Sequence, residues 1–263
     1  MKTVRLQDVL EEHVASRRIS GLLDLGCGDG ASTRRLLYAG LRPQWVTGVD
    51  PEDTSFSPEV SLEDSGRAVT VPPAWEFIRA DAHEVLTDSI LPENTPEMIV
   101  AGRMLHHVRR FGSLLGNAAK LLQRSSNVHT RPPRLVVWEP VDAEGPFSEL
   151  HRIKVDVDRE LGMWHRPPFS RHVLERVFGR QGADAGVRWD FLCEVQASRE
   201  PYSESEYRSA LEDMHEYVGL VRDHRELYAR LKRRLSLLPP TPASQPYGEP
   251  LLLAVATASA TGI

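Results

Sequence analysis

Cysteine is nearly absent from this chain. Of 263 residues only Cys27 and Cys193 carry thiols, far apart and without paired spacing, which argues against a disulfide framework or a zinc cluster and fits a reducing, cytoplasmic setting. Long apolar runs are missing too: nothing approaches the ~20 consecutive apolar residues of a membrane span. The opening MKTVRLQDVLEEHVASRR scatters charges among its apolar residues, so residues 1–20 read as an amphipathic helix and not as a signal peptide. Charge of one sign is not in excess; a formal net charge of -5 gives no general pull toward nucleic acid or an anionic membrane surface. The basic group Arg230, Lys232, Arg233 and Arg234 reads as a solvated helix face. No internal repeat is present.

What is present is alternation. Short β-rich runs (GLLDLG, WVTGVD, WEFIRAD, EMIVAG, RLVVWEP) are separated by helical patterns, as in parallel strands joined by crossover helices. The strands are apolar throughout, as expected where both faces of a sheet are covered. The clearest helix is FGSLLGNAAKLLQ, in which Phe111, Leu114, Leu115, Ala118, Leu121 and Leu122 share one stripe and serve core packing. Residues 51–73 are polar, acidic and bracketed by prolines, so a long surface loop is expected. Further on come two helices, FSELHRIKVDVDREL and SRHVLERVFGRQG, and an alternating strand, VRWDFLCEVQ. A long helix or helical pair follows over residues 203–238, then a Pro-rich loop and a final apolar strand, LLLAVATAS.

The chemistry concentrates in LLDLGCGDGAST, residues 22–33, a strand entering a loop with glycine at every second position. Such a loop lets the backbone approach a ligand closely. A P-loop needs Lys-Ser or Lys-Thr after its glycines, and Ala31-Ser32 stands there instead. A dinucleotide fingerprint is spaced G-x-G-x-x-G, whereas Gly26, Gly28 and Gly30 are spaced G-x-G-x-G. Asp24, at the strand end, and Asp29, in the loop, would repel a pyrophosphate and welcome an ammonium and a sulfonium. Asp50 ends the second strand, where a carboxylate accepts from ribose hydroxyls, and Asp81 follows the third, in position for an adenine amino group. An adenosine bearing a cationic amino-acid tail fits all of these: S-adenosyl-L-methionine.

On these residues the chain resembles the class I S-adenosylmethionine-dependent methyltransferases of the small-molecule type. LLDLGCGDG matches the family's first motif, GVDP its second, ADAHE its third and MIVAGRMLHHV its fourth, together covering Leu22 to about Pro140. The resemblance implies an α/β, Rossmann-like, seven-stranded and mostly parallel sheet, its last strand antiparallel, flanked by helices. It implies a single domain over residues 1–263. Carried over by position, Asp24 and Gly26 anchor the methionine end, Gly28 and Gly30 allow close approach with Cys27 between them, and the helix from Ala31 offers amides to the methionine carboxylate. Asp50 with Pro51 takes the ribose, Asp81 and Ala82 border the adenine, and Ala101, Gly102 and Arg103 line the reactive side. S-adenosyl-L-homocysteine would be the product. Two departures stand out: Pro96-Glu97-Met98 where the family often has Asp, and HTRPPR in place of Pro-Gly-Gly before the fifth strand.

Methyl transfer from a sulfonium is an in-line displacement in which alignment of the nucleophile can supply much of the catalysis. A general base helps if the acceptor is a hydroxyl or a protonated amine. His106 and His107 are the candidates; adjacent residues on a helix point about 100° apart, so at most one is expected to face the site. Glu139, at the carboxyl edge of the fifth strand, is the favoured substrate-side polar group ahead of His151 and His165. No metal-ligand set is legible, and no carboxylate cluster for metal-assisted catechol methylation. The connection Ser198 to Pro250 (residues 198–250) emerges on the ligand side as a helical insertion. With the N-terminal helix it is expected to cover the acceptor, Tyr202, Tyr207, Met214, Tyr217 and the GMWHRPPF stretch supplying aromatic walls. The expected partner is a small-molecule methyl acceptor, with no membrane partner. The Asn/Asp-Pro-Pro-aromatic motif of amino-methylating nucleic-acid enzymes is replaced by AGRM, which argues against a nucleic-acid substrate. The competing readings are a methyltransferase acting on protein or nucleic acid, a non-catalytic S-adenosylmethionine-binding protein, and a nicotinamide oxidoreductase.

Overall fold

The apolar runs become a seven-stranded sheet with helices on both faces. The computed structural model describes residues 4–14, 17–57, 72–87, 95–142, 146–184, 187–196, 204–239 and 250–258. In chain order the strands are β1 (Arg18–Leu25), β2 (Arg42–Asp50), β3 (Ala74–Arg79), β4 (Met98–Gly102), β5 (Arg134–Pro140), β6 (Val187–Gln196) and β7 (Pro250–Ala258). The helices are α1 (Leu6–Val14), α2 (Ala31–Tyr38), α3 (Ala82–Thr87), α4 (Phe111–Ser125), α5 (Pro146–Glu160), α6 (Arg171–Asp184), α7 (Glu204–Val218) and α8 (Arg225–Ser236). The sheet order is β3-β2-β1-β4-β5-β7-β6. Strands β1 to β5 pair in parallel, and β7 lies antiparallel between β5 and β6.

Period-two alternation divides the core. Leu23, Leu25, Ile99, Ala101, Leu135 and Val137 face one layer with α3, α4 and α6. Their neighbours Leu22, Met98, Val100, Val136 and Trp138 face the other, where α1 and α2 lie. Asp24 shares the parity of Leu22, which aims it at α2.

One sequence expectation shifts, one of two alternatives is realised, and one short helix is added. The helix expected over residues 1–20 spans Leu6–Val14, because Arg18 and Ile19 already pair with Arg42 and Pro43. The long helical stretch is a pair, broken by a 3-10 turn at Gly219–Val221. Helix α3, only six residues, is too short to announce itself by periodicity. Most of the expected loop over residues 51–73 lies outside the described residues; Pro51 to Ser57 form no helix or strand. Of the family departures, Glu97 has structural work: its carboxylate accepts from the Ser20 amide at 3.0 Å, tying the starts of β1 and β4.

Helices α7 and α8 pack against α5. With α5 they enclose a small core of their own, including Ile153, Val157, Tyr207, Val218, Val221 and Leu231. Arg234 of α8 bridges Glu149 and Asp156 of α5 at 2.7 and 2.6 Å. No described helix is long and apolar enough to cross a membrane.

Candidate active site

The order β3-β2-β1-β4-β5 reverses direction between β1 and β4, and ligands of open α/β sheets bind at the carboxyl ends of strands beside such a switch. The glycine loop sits there, between β1 and α2. Gly26, Gly28 and Gly30 have φ of 63°, 51° and 92°, left-handed values that disfavour any side chain. At Gly26 an added Cβ would lie 2.6 Å from that of Met104, whereas at Gly28 it would meet nothing within 4 Å. Packing therefore accounts for the small residue at Gly26; at Gly28 the backbone borders open space.

Asp24 is fully buried, and its Oδ2 accepts from the Thr33 amide and hydroxyl at 3.1 and 2.7 Å. Its Oδ1, equally buried, has no hydrogen-bond partner among the described residues. Burial pushes the carboxyl up to about 7, against the pull of the two Thr33 hydrogen bonds. Asp29 faces outward and pairs with Arg34 at 2.7 Å. The helix amides expected to serve the methionine carboxylate are partly committed: Ala31 donates to Asp29 and Thr33 to Asp24. Cys27 is buried, with its amide on the Val49 carbonyl at 3.1 Å.

Asp50 holds the loop from the second strand, its carboxylate accepting from the Gly28 and Glu52 amides, each at 3.0 Å. The exposed Pro51 gives its carbonyl to Arg79. Asp81 is exposed and accepts from the His83 amide at 2.7 Å, starting α3, of which Ala82 is the buried first residue. Ala101 and Gly102 are buried at the end of β4, and Arg103 turns the chain with φ 58°, its amide on the Trp138 carbonyl at 2.7 Å.

The next strand end is built from side chains. Glu139 is fully buried. Its carboxylate accepts from the Leu105 amide at 2.5 Å and lies 2.7 Å from His106 Nδ1. Burial pushes Glu139 up to about 8. His106 and His107 lie in a 3-10 turn, Leu105–His107. Contrary to the expectation that only one would face the site, their rings approach to 4.2 Å, and His165 lies 5.2 Å from one and 4.4 Å from the other. The tight turn gathers both rings around an imidazole from another segment. Although His107 reaches solvent, burial of its ring and the adjacent His106 and His165 hold it down at about 3. His165 also faces His151 of α5, Nε2 to Nε2 at 3.2 Å, and Asp158 through Nδ1. The Tyr217 hydroxyl of α7 donates to the other Asp158 oxygen. Asp158 was not legible as a site residue, being marked only by helical spacing, whereas Tyr217, expected as an aromatic wall, enters through its hydroxyl.

Residues 23–128 match the methyltransferase domain family. No curated protein sequence gives a significant match. Among solved structures the chain is similar to the MccD protein, with a TM-score of 0.52 and 14% identity over 96% of each chain. It is also similar to the YcgJ protein of Bacillus subtilis, TM-score 0.51 and 13% identity over 96% of this chain and 97% of that one. The (4+2)-cyclase SpnF gives 0.51 and 14% identity, covering 96% of this chain and 80% of its own. Residues 23–128 form a methyltransferase domain. The structural likenesses, at such low identity, speak to fold alone.

The methyltransferase's glycine edge fits the family's cofactor on its own terms. The unpartnered, buried Asp24 Oδ1 wants a donor, preferably cationic, and the open space at Gly28 leaves room beside it. Of the two segments expected over the acceptor, α1 contributes Leu6, Val9, Leu10 and Val14 to the core shared with α2. Its end is pinned by Arg134, at the start of β5, on the His13 carbonyl at 2.7 Å. The insertion, by contrast, reaches the histidines through Tyr217. Tyr207 is core, fully buried with its hydroxyl on the Pro239 carbonyl, and not a wall of the site. Tyr202 lies outside the described residues. Trp164 is 44% exposed and lies under the Arg109 and Arg166 guanidinium groups of the methyltransferase.

Proposed function

We propose that this methyltransferase acts on a small-molecule acceptor admitted beneath α5, α7 and α8 at the carboxyl ends of β4 and β5, in a reducing cytoplasm. The observation that carries this reading is the continuous polar chain Tyr217, Asp158, His165, His106 and Glu139. It runs from the helical insertion to the strand end, with His106 and His165 each only 5% exposed. Polar groups so enclosed suit an acceptor small enough to pass under the helices. Two free thiols, one buried, and a net charge of -5 support the compartment and the choice against nucleic acid.

S-adenosylmethionine supplies, when bound, an electrophilic methyl carbon on a sulfonium. Asp24 would take the ammonium end, Gly26, Cys27, Gly28 and Gly30 the close backbone approach, and Asp50 with Pro51 the ribose. Asp81 and Ala82 would border the base, and Ala101, Gly102 and Arg103 the reacting side. Glu139 is a positioning residue: it fixes the ring of His106 through Nδ1 and leaves Nε2 as the inward atom. A neutral imidazole in the cluster can relieve a hydroxyl or ammonium acceptor of its proton.

The test is transfer of isotopically labelled methyl from S-adenosylmethionine into a fractionated cell extract. Label in the small-molecule fraction, lost with Gly28→Val, supports the proposal. Label confined to protein or RNA moves the acceptor to that class, and tight cofactor binding with no transfer to any fraction reduces the protein to a binder.

A further inference from the structure

Four imidazoles gathered at one place need an explanation beyond proton transfer, for which one suffices. Taking one ring nitrogen from each, His106, His107 and His165 place three ligand atoms within 4.8 Å of one another. The His151 ring lies 5.2 Å from His106 and 5.0 Å from His165. The His165 and His151 Nε2 atoms face each other at 3.2 Å. Two ring nitrogens meet at that distance if one donates a proton to the other, and also if both turn toward a shared ion. In a tetrahedral zinc site with metal–nitrogen bonds of ~2.05 Å, neighbouring nitrogens are about 3.3 Å apart.

The outer layer decides between these. His106 and His165 each turn Nδ1 to a buried carboxylate, Glu139 at 2.7 Å and Asp158. Each carboxylate is held by a further donor through its other oxygen, the Leu105 amide and the Tyr217 hydroxyl. Carboxylate–histidine pairs of this kind orient metal-ligating rings and raise their basicity. Imidazole donors select zinc and its transition-metal neighbours over magnesium or calcium.

We propose that His106, His107 and His165, with His151 as the fourth donor, form a binding site for a divalent transition-metal ion of the zinc type. The site stands apart from the choice of acceptor. Its position at the strand ends would let the ion polarise an acceptor oxygen or nitrogen, replacing the proton-accepting role of the imidazole that binds it. The ligands come from the turn after β4, from α5 and from the segment before α6, so no short motif announces them. The absence of a legible metal set in the sequence reflects that dispersal.

Full-length protein stripped with a chelator is titrated with zinc against a chromophoric competitor, and with cobalt(II) by visible absorption. One equivalent of zinc and an intense tetrahedral cobalt spectrum are expected. His107→Gln, at a position that reaches solvent, and His165→Ala should each weaken zinc at least tenfold, and Asp158→Asn about 10–100-fold. The exposed His172→Ala should change nothing, and circular dichroism melts verify that each variant folds. Absence of stoichiometric zinc binding, or binding that survives both His107→Gln and His165→Ala in folded protein, overturns the site.

Discussion

The carboxyl edge of the sheet holds two constructions side by side. At the ends of β1 and β2 the proposed cofactor side is built from main chain: positive-φ glycines, with the Asp24 and Asp50 carboxylates spent largely on neighbouring amides. At the ends of β4 and β5 the proposed acceptor side is built from side chains of distant segments, in imidazole–carboxylate pairs covered by helices. The first construction is set mostly by a dozen consecutive residues, with Asp50 added from β2. The second depends on long-range placement.

Substitutions can separate the two. The largest effect is expected for Gly28→Val, which puts a β-branched side chain at φ 51° and into the open space. S-adenosylhomocysteine binding should fall by more than about 100-fold, or ~3 kcal/mol, by calorimetry. Zinc binding should remain, and loss of both would mean that the two constructions are one cooperative unit. Next comes Glu139→Gln, which unfixes His106: turnover should drop about 10–100-fold while S-adenosylhomocysteine affinity stays within about twofold. A parallel loss of cofactor affinity would refute its assignment to the acceptor side.

Asp24→Asn should weaken S-adenosylmethionine about tenfold, the loss expected when a cationic group forfeits a charged hydrogen bond. The pH dependence is the sharper test. In the folded protein Asp24 titrates near 7 against an ordinary value of 3.8, so its stabilising contribution is complete below the ordinary value and lost as pH rises through 7. Melts of the unliganded protein should therefore show a slope over that window that Asp24→Asn removes. Binding of the cationic cofactor below pH 7 should release a proton, visible as a buffer-dependent binding enthalpy. The smallest effect is expected for Tyr217→Phe, about 1 kcal/mol or less in stability, with lowered zinc affinity and an unchanged cofactor site.

The same contrast explains what could be read from the sequence. Residues 22–33 carry their own geometry in glycine spacing and strand-end carboxylates, so the glycine loop and the parallel sheet were legible. Asp81 was visible but ambiguous, because a turn-forming, helix-starting aspartate looks the same in sequence as an adenine acceptor. His151, Asp158, His165 and Tyr217 meet only after α5 and α7 pack through Ile153, Val157, Tyr207 and Val218. Nothing in the spacing of a histidine on one helix and a tyrosine on another encodes that encounter.

One feature of the sheet bears on how the molecule comes into being. Among the described strands β6 is hydrogen-bonded only to β7, the last of them in chain order, and β7 is itself interior, between β5 and β6. As the chain leaves the ribosome, β6 has no edge to join until Pro250–Ala258 arrives. The nascent chain therefore waits with the flank of β5 uncovered and β6 undocked, a state open to pairing with another chain. A message truncated before Pro250 would cost the sheet two strands rather than one.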